Sequence, residues 1–216
     1  IGMTIIAFGT SAPEFVVTMN AAFAGAPGLA IGNIVGSNIA NIWLILGITC
    51  LVTPILAKPD ALLRDSVILL GATILFAFLC TLGHLGRIAG VILMAGFIGF
   101  LMASYWRGTV DPEVAGETAE EVEEMATFGS SLPKALGAVA IGIVGLAWGS
   151  DMLVEGGVQI ARIFGVSEEV IGLTLFAFGT SVPELAASVV AAYRGHPDVA
   201  IGNVIGANIY NLLAIM

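Results

Sequence analysis

One segment of this chain is repeated 170 positions later, without a gap. The residues IGMTIIAFGTSAPE at 1–14 return as IGLTLFAFGTSVPE at 171–184, and 22 of 42 aligned positions are identical. A second shared segment follows in each copy, AIGNIVGSNIAN at 30–41 and AIGNVIGANIYN at 200–211. Self-similarity at a fixed offset indicates an internal duplication. The fold must therefore contain two equivalent units.

The two units belong to a chain that is too apolar for an ordinary soluble domain. Hydrophobic residues make up 58% of its 216 residues and charged residues 11%, whereas about 25% of the residues in a soluble domain are charged. Apolar stretches of about 20 residues can cross a bilayer as helices. We predict an all-α multi-pass protein of the cell membrane with about seven spans, at 1–24, 29–56, 61–82, 85–106, 132–161, 168–193 and 199–216.

The two copies are predicted to cross the membrane in opposite directions. The first helix of one copy lies five predicted spans before its counterpart, and an odd number of crossings reverses the direction of the chain. Inverted repeats with interrupted helices are typical of secondary transporters, which bind their substrates near the middle of the membrane where the repeats meet.

A hydrophilic segment divides the chain into two predicted halves. Residues 1–106 form the first half, 107–131 an acidic linker and 132–216 the second half. Cytoplasmic loops carry an excess of Lys and Arg. We expect the linker to be cytoplasmic, because its side of the membrane holds Lys58, Arg64, Arg107, Lys134 and Arg194, and the other side holds Arg87 and Arg162.

Each Pro-Glu motif is predicted to interrupt its helix. Pro13 and Pro183 have no N–H, and their rings clash with carbonyls four residues earlier. Backbone oxygens released within a membrane must face protein, water or an ion, because lipid cannot bond them. The same turns carry hydroxyls and carboxylates, from Thr10, Ser11, Glu14, Thr180, Ser181 and Glu184. The sequence therefore predicts a site made of oxygen atoms.

Oxygen-only sites suit hard cations. Ca²⁺ takes about six to eight oxygen ligands, whereas zinc and copper favour imidazole and thiolate ligands, which both motifs lack. The charges of Glu14 and Glu184 would balance one Ca²⁺, and leaving them ionised and unpaired in a membrane is costly. We expect the site to switch between membrane faces only when cations or protons fill it.

The second shared segment is predicted to break a helix at its paired glycines, Gly32 with Gly36 and Gly202 with Gly206. These glycines could serve either close helix packing or the ion site, and the sequence leaves both roles open. Asn41 and Asn211 lie one turn further on. We predict that both asparagines line the site.

The motifs resemble the two α-repeats of the sodium/calcium exchanger family, in the cation/calcium exchanger superfamily. GTSAPE with GNIVGSNIAN, and GTSVPE with GNVIGANIYN, carry the resemblance. The family has ten spans in two inverted halves of five, joined by a cytoplasmic loop. The resemblance implies an inverted-repeat exchanger fold of the prokaryotic type. The chain would hold its spans 2 to 8 and would be incomplete at both ends.

The resemblance also implies a role for each candidate residue. The carboxylates of Glu14 and Glu184 would hold Ca²⁺ and share Na⁺. Hydroxyls and carbonyls would complete the flanking Na⁺ sites, from Thr10, Thr180, Ser37, Ala7 and Ala177. The amides of Asn41 and Asn211 would line the middle of the site, and Ser11 and Ser181 would support the turns.

Two departures from the family pattern bear on the transported ions. Ala207 stands where the second repeat would carry the partner of Ser37, so one Na⁺ site would lack a hydroxyl. Asn211 stands where an acidic residue is typical of potassium-dependent family members, so the resemblance disfavours K⁺ co-transport.

We predict an antiporter that exports Ca²⁺ in exchange for Na⁺ by alternating access. We expect it to be no enzyme, to need no cofactor or nucleic acid, and to act in the lipid bilayer as a monomeric transport unit. A proton/calcium antiporter is the alternative. A cation channel would more typically build rings from subunit symmetry, and a hydrolase using Ser11 or Ser181 would need a base that the motifs lack.

Overall fold

The computed structural model describes residues 7–54, 59–83, 85–110 and 172–216 continuously, with shorter pieces between 137 and 170. All regular structure in these residues is helical. After a helical turn at 7–10, the first half contains α1 (Ala12–Phe23), α2 (Pro27–Ala40), the π-helical turn π1 (Asn41–Ile45), α3 (Leu46–Val52), α4 (Pro59–Thr81) and α5 (Arg87–Val110). The second half contains π2 (Gly172–Phe176), α6 (Ala177–Thr180), α7 (Val182–Tyr193), α8 (Pro197–Tyr210) and π3 (Asn211–Ile215).

Five of the seven predicted spans, at 29–56, 61–82, 85–106, 168–193 and 199–216, correspond to apolar helical segments among the described residues. Four segments are long and apolar enough to cross a membrane, namely Pro27–Val52, Leu62–Thr81, Arg87–Trp106 and Pro197–Ile215. Thr174–Thr180 and Val182–Tyr193 form a fifth span, bent by 44°, if they are taken together. Residues 1–6, nearly all of the acidic linker and most of the predicted span at 132–161 lie outside the described residues.

The helix carrying each Pro-Glu motif is interrupted at a serine. Ser11 separates the turn at 7–10 from α1, and Ser181 separates α6 from α7, with ψ angles of 10° and 2°. Pro13 and Pro183 are the second residues of the helices that follow. A missing N–H breaks no bond there, because the first N–H groups of a helix have no partner within it. The predicted interruptions are confirmed, two residues before each proline.

The predicted break at the paired glycines is wrong. Helix α2 continues through Gly32 and Gly36, and α8 continues through Gly202 and Gly206. A glycine inside a helix costs only about 1 kcal/mol relative to alanine, which packing can offset. A Cβ atom at Gly206 would lie 3.2 Å from the Cβ of Ala7, so this glycine permits close approach between the repeats.

The helices become irregular slightly later, at two asparagines. The N–H of Leu46 bonds to the carbonyl of Asn41, and the N–H of Met216 bonds to the carbonyl of Asn211, each five residues earlier. Such π-helical turns are frequent at functional sites. Each one begins at an asparagine that the sequence predicts to line the site.

The described apolar core lies where α8 and π3 of the second repeat meet α2, α4 and α5. Its members include Ile34, Phe76, Leu79, Leu93, Ile209, Leu212 and Leu213. Many large apolar side chains face outward instead, among them Trp43 at 80% exposure and Leu51 at 89%. Extensive exposed apolar surface marks contact with a membrane or a partner, and the long apolar helices favour the membrane.

Candidate cation-binding site

The two motif glutamates are the most deeply buried charged groups described. Glu14 lies in the first turn of α1 and Glu184 in the first turn of α7, and neither side chain is exposed. The helix interruptions place both carboxylates at helix N-termini, where unpaired N–H groups and the helix dipole favour negative charge. The broken helices therefore position the carboxylates and partly stabilise their charge.

Each carboxylate is bonded by a serine of the other repeat. The Ser11 hydroxyl donates to Oε1 of Glu184 at 2.7 Å, and the Ser181 hydroxyl donates to Oε1 of Glu14 at 3.2 Å. The contacts come as an equivalent pair, as expected for two copies related by a twofold axis. One oxygen of each carboxylate is thus fixed across the repeat interface.

The threonines of the two motifs are also used in equivalent ways. Thr10 donates to the carbonyl of Ala7 and Thr180 to that of Ala177, both at 3.3 Å. Each hydroxyl therefore lies beside the backbone carbonyl three residues, about one helical turn, before its own threonine. This arrangement groups one hydroxyl and one carbonyl oxygen in each repeat.

Two asparagines that were not predicted from the sequence connect these groups. Asn33 donates to Thr18 at 3.1 Å, and its Oδ1 accepts from Thr180 of the other repeat at 3.3 Å. Asn203 donates to Ser188 at 3.1 Å in the equivalent manner. Their identity in both copies of the duplicated segment was the signal that could have found them.

Ser37 makes the two sides of the site unequal. Its hydroxyl donates to the carbonyl of Ala177 at 3.4 Å and lies 3.2 Å from the Thr180 hydroxyl. The equivalent residue of the second repeat, Ala207, is fully buried and has no hydroxyl. Three oxygens therefore cluster on the Ala177 side, whereas the Ala7 side lacks the third.

Asn41 and Asn211 are buried and bonded across the repeats. The Asn41 amide nitrogen donates to Oδ1 of Asn208 at 2.8 Å, and the Asn211 amide nitrogen donates to Oδ1 of Asn38 at 3.0 Å. The turn π1 packs against α7, which carries Glu184, and π3 packs against α1, which carries Glu14. Each asparagine is thereby brought to the helix of the opposite carboxylate.

Four buried side-chain oxygens in the described part of the chain have no hydrogen-bond partner. They are Oε2 of Glu14, Oε2 of Glu184, Oδ1 of Asn41 and Oδ1 of Asn211. Burying such acceptors without a donor or cation is costly. When the carboxylates are ionised, all four oxygens can accept a hydrogen bond or coordinate a cation, but none can donate. The chemistry of these ligands therefore fits a hard cation such as Ca²⁺ or Na⁺.

All eleven candidate residues are buried, and the packing of the interrupted helices against the opposite repeat brings them together. No group of three or more His, Cys, Asp and Glu suited to a metal occurs among the described residues. The site therefore has two carboxylates and otherwise neutral oxygens. The ligand role of each residue stays a prediction.

Comparison with known proteins decides the family. The model of the family described as "Sodium/calcium exchanger protein" matches residues 1–106 and 134–216. The chain belongs to the sodium/calcium exchanger family. It is 39% identical to a putative antiporter, CaxA, of Alkalimonas amylolytica over 220 residues, covering 100% of this chain and 67% of the relative. It is 32% identical to the sodium/calcium exchanger MaX1 of Methanosarcina acetivorans over 248 residues, covering 100% of this chain and 71% of the relative.

A solved exchanger structure shows the same fold. The sodium-calcium exchanger NCX_Mj, soaked with 2.5 mM Na⁺ and 0.1 mM Ca²⁺, is 34% identical with a TM-score of 0.76, and the match covers 99% of this chain and 67% of that one. The predicted exchanger fold with discontinuous helices is therefore confirmed. This family member is a multi-pass membrane protein that spans about two thirds of the length of its relatives.

Proposed function

We propose that this chain is the ion-binding part of an antiporter that exports Ca²⁺ in exchange for Na⁺ by alternating access. The observation that carries the proposal is the set of four unpartnered, fully buried oxygens on residues of both repeats. Relatives named as antiporters and sodium/calcium exchangers support it. We place the protein in the cell membrane, as a monomeric unit surrounded by lipid.

Ca²⁺ would bind at the carboxylate pair. Two ionised carboxylates, Glu14 and Glu184, balance its charge, and the amide oxygens of Asn41 and Asn211 add neutral ligands. Without a cation, two negative charges would remain in a membrane protein interior, which is energetically costly. The empty form would therefore switch poorly between membrane faces, and coupling would follow from this penalty.

Na⁺ would use the same carboxylates together with the flanking oxygens. On one side these oxygens are the Ala177 carbonyl and the hydroxyls of Thr180 and Ser37, which lie within 3.4 Å of one another. On the other side the Ala7 carbonyl and the Thr10 hydroxyl lie 3.3 Å apart. Because both ions need the glutamates, binding of Na⁺ and of Ca²⁺ would be mutually exclusive.

Exchange of Ca²⁺ for protons is the second candidate. It is favoured by Ala207, because the Ala7 side has one hydroxyl fewer than its counterpart and is a poorer Na⁺ site. Protons need only the carboxylates.

Transport by the full-length parent protein in proteoliposomes tests the proposal. Vesicles loaded with Na⁺ and diluted into Na⁺-free buffer should take up radiolabelled Ca²⁺, and Glu184→Gln should abolish that uptake. Asp198→Asn is the matched control, because Asp198 is also an acid in a first helical turn but is exposed. Uptake driven only by a pH gradient would establish proton exchange, and uptake without any counter-ion would indicate a channel.

A further inference from the structure

Four asparagines, two from each repeat, form a closed hydrogen-bonded group between α2 and α8. The side-chain nitrogen of Asn38 donates to the backbone carbonyl of Asn208 at 3.2 Å, and that of Asn208 donates to the backbone carbonyl of Asn38 at 3.3 Å. Their Oδ1 atoms accept from Asn211 and Asn41, respectively. We propose that Asn38 and Asn208 are positioning residues that turn the amide oxygens of Asn41 and Asn211 toward the cation. This inference rests on the proposed function.

The backbone carbonyl of Asn38 fixes the orientation of the Asn208 side-chain amide. An asparagine side chain has a donating end and an accepting end of nearly equal shape, so its orientation follows from its partners. A backbone carbonyl only accepts, so Asn208 must present its nitrogen to the carbonyl of Asn38. Its Oδ1 then necessarily points the other way, toward Asn41.

The orientation of the Asn41 amide follows from that of the Asn208 amide. Asn41 faces an oxygen of Asn208 at 2.8 Å, so it must present its nitrogen there, and its own Oδ1 is left on the remaining side. That oxygen is buried and has no partner. The same sequence of contacts, from Asn38 to Asn211, leaves the second unpartnered amide oxygen.

The opposite orientation would place an N–H donor where a cation ligand is needed. The N–H end of an amide carries partial positive charge and cannot coordinate a cation. Residues that orient a metal ligand without touching the metal typically contribute 10-fold to 100-fold in affinity. We expect an effect of this size when Asn208 or Asn38 can no longer hold its neighbour.

The test measures Ca²⁺ affinity in the purified full-length parent protein, by calorimetric titration and by the half-saturating Ca²⁺ concentration for uptake. Asn208→Leu removes the anchor at similar volume, and Asn41→Ala removes the oriented ligand. The affinity of Asn208→Leu should fall about 10-fold to 100-fold. In the Asn41→Ala background the same change should have little further effect, because Asn208 acts through Asn41. A merely structural role would give equal losses in both backgrounds.

Matched variants distinguish a loss of ligand positioning from a loss of protein stability. Thr49→Val also removes a buried hydrogen bond, from the Thr49 hydroxyl to the carbonyl of Ile45 at 2.7 Å, and should leave Ca²⁺ affinity unchanged. If Asn208→Leu fails to fold, Asn38→Leu tested with and without Asn211→Ala examines the equivalent pair.

The outcomes distinguish the inference from the proposed function. Wild-type affinity in Asn208→Leu, or additive losses in the double variant, would overturn the positioning role while leaving exchange intact. Absence of Ca²⁺ binding in the wild type, or binding that survives Glu184→Gln, would overturn the proposed function and this inference with it.

Discussion

At the scale of the residue, the site depends on acceptors that lack donors. Each glutamate receives one serine bond from the opposite repeat and keeps one oxygen free. The sequence predicts the glutamates, because a carboxylate beside a proline in an apolar segment is conspicuous. It did not predict the roles of Asn33, Asn38 and Asn208, because the direction of an amide depends on partners about 150 to 170 positions away.

The difference between Ser37 and Ala207 gives a prediction about Na⁺. Ala207→Ser should supply the third oxygen on the Ala7 side and lower the half-saturating Na⁺ concentration for exchange. One added interaction of hydrogen-bond strength corresponds to about 2-fold to 10-fold. Na⁺-dependent Ca²⁺ flux in proteoliposomes measures this.

Ser37→Ala serves as the reciprocal variant and should raise the half-saturating Na⁺ concentration. Equal Na⁺ dependence in the wild type and both variants would show that these hydroxyls do not contact Na⁺.

At the scale of the element, local chemistry explains one feature of each repeat and tertiary packing explains the other. Proline disrupts a helix interior but is tolerated in the first turn, so a new helix beginning just before Pro13 and Pro183 follows from sequence. Glycine only weakens a helix, so whether α8 breaks at Gly206 depends on its neighbours. The π-helical turns at Asn41 and Asn211 shift the hydrogen-bond register without a local sequence signal, and only the structure reveals them.

Close packing between the repeats predicts the effect of a methyl group. Gly206→Ala should lower the melting temperature of the detergent-solubilised full-length protein, because its Cβ would lie 3.2 Å from that of Ala7. Gly71→Ala is the control, because a Cβ at Gly71 in α4 has no heavy atom within 4 Å. That change should stabilise the helix by about 0.5 to 1 kcal/mol. Equal melting temperatures for Gly206→Ala and Gly71→Ala would show that the space between Gly206 and Ala7 accommodates a methyl group without strain.

At the scale of the whole molecule, the duplication places one half of a binding site on each repeat. The bonds from Ser11 and Ser181 cross the repeat interface, so neither repeat can form the site alone. Sequence identity between the copies and the count of spans predict this arrangement. The bend of 44° between the two halves of the second interrupted span is a property of the folded molecule.

Because the same carboxylates could bind protons, we predict that protons compete with Ca²⁺ for the site. Acidification on the side facing Ca²⁺ should raise the half-saturating Ca²⁺ concentration, because a protonated carboxyl no longer offers a negative charge to the cation. The maximal rate at saturating Ca²⁺ should change less. Uptake by proteoliposomes from neutral to mildly acidic pH tests this, with Asp198→Asn expected to show the wild-type dependence. Ca²⁺ affinity that is independent of pH would argue against ligation by the glutamates.

Equilibrium Ca²⁺ binding to the purified full-length protein, titrated against Na⁺, tests the central claim most directly. We predict that Na⁺ displaces Ca²⁺ competitively, and that Glu14→Gln and Glu184→Gln each abolish measurable Ca²⁺ binding while Asp198→Asn preserves it. Ca²⁺ binding that survives in both glutamine variants, or that Na⁺ does not displace, would contradict a single shared site built from the two repeats.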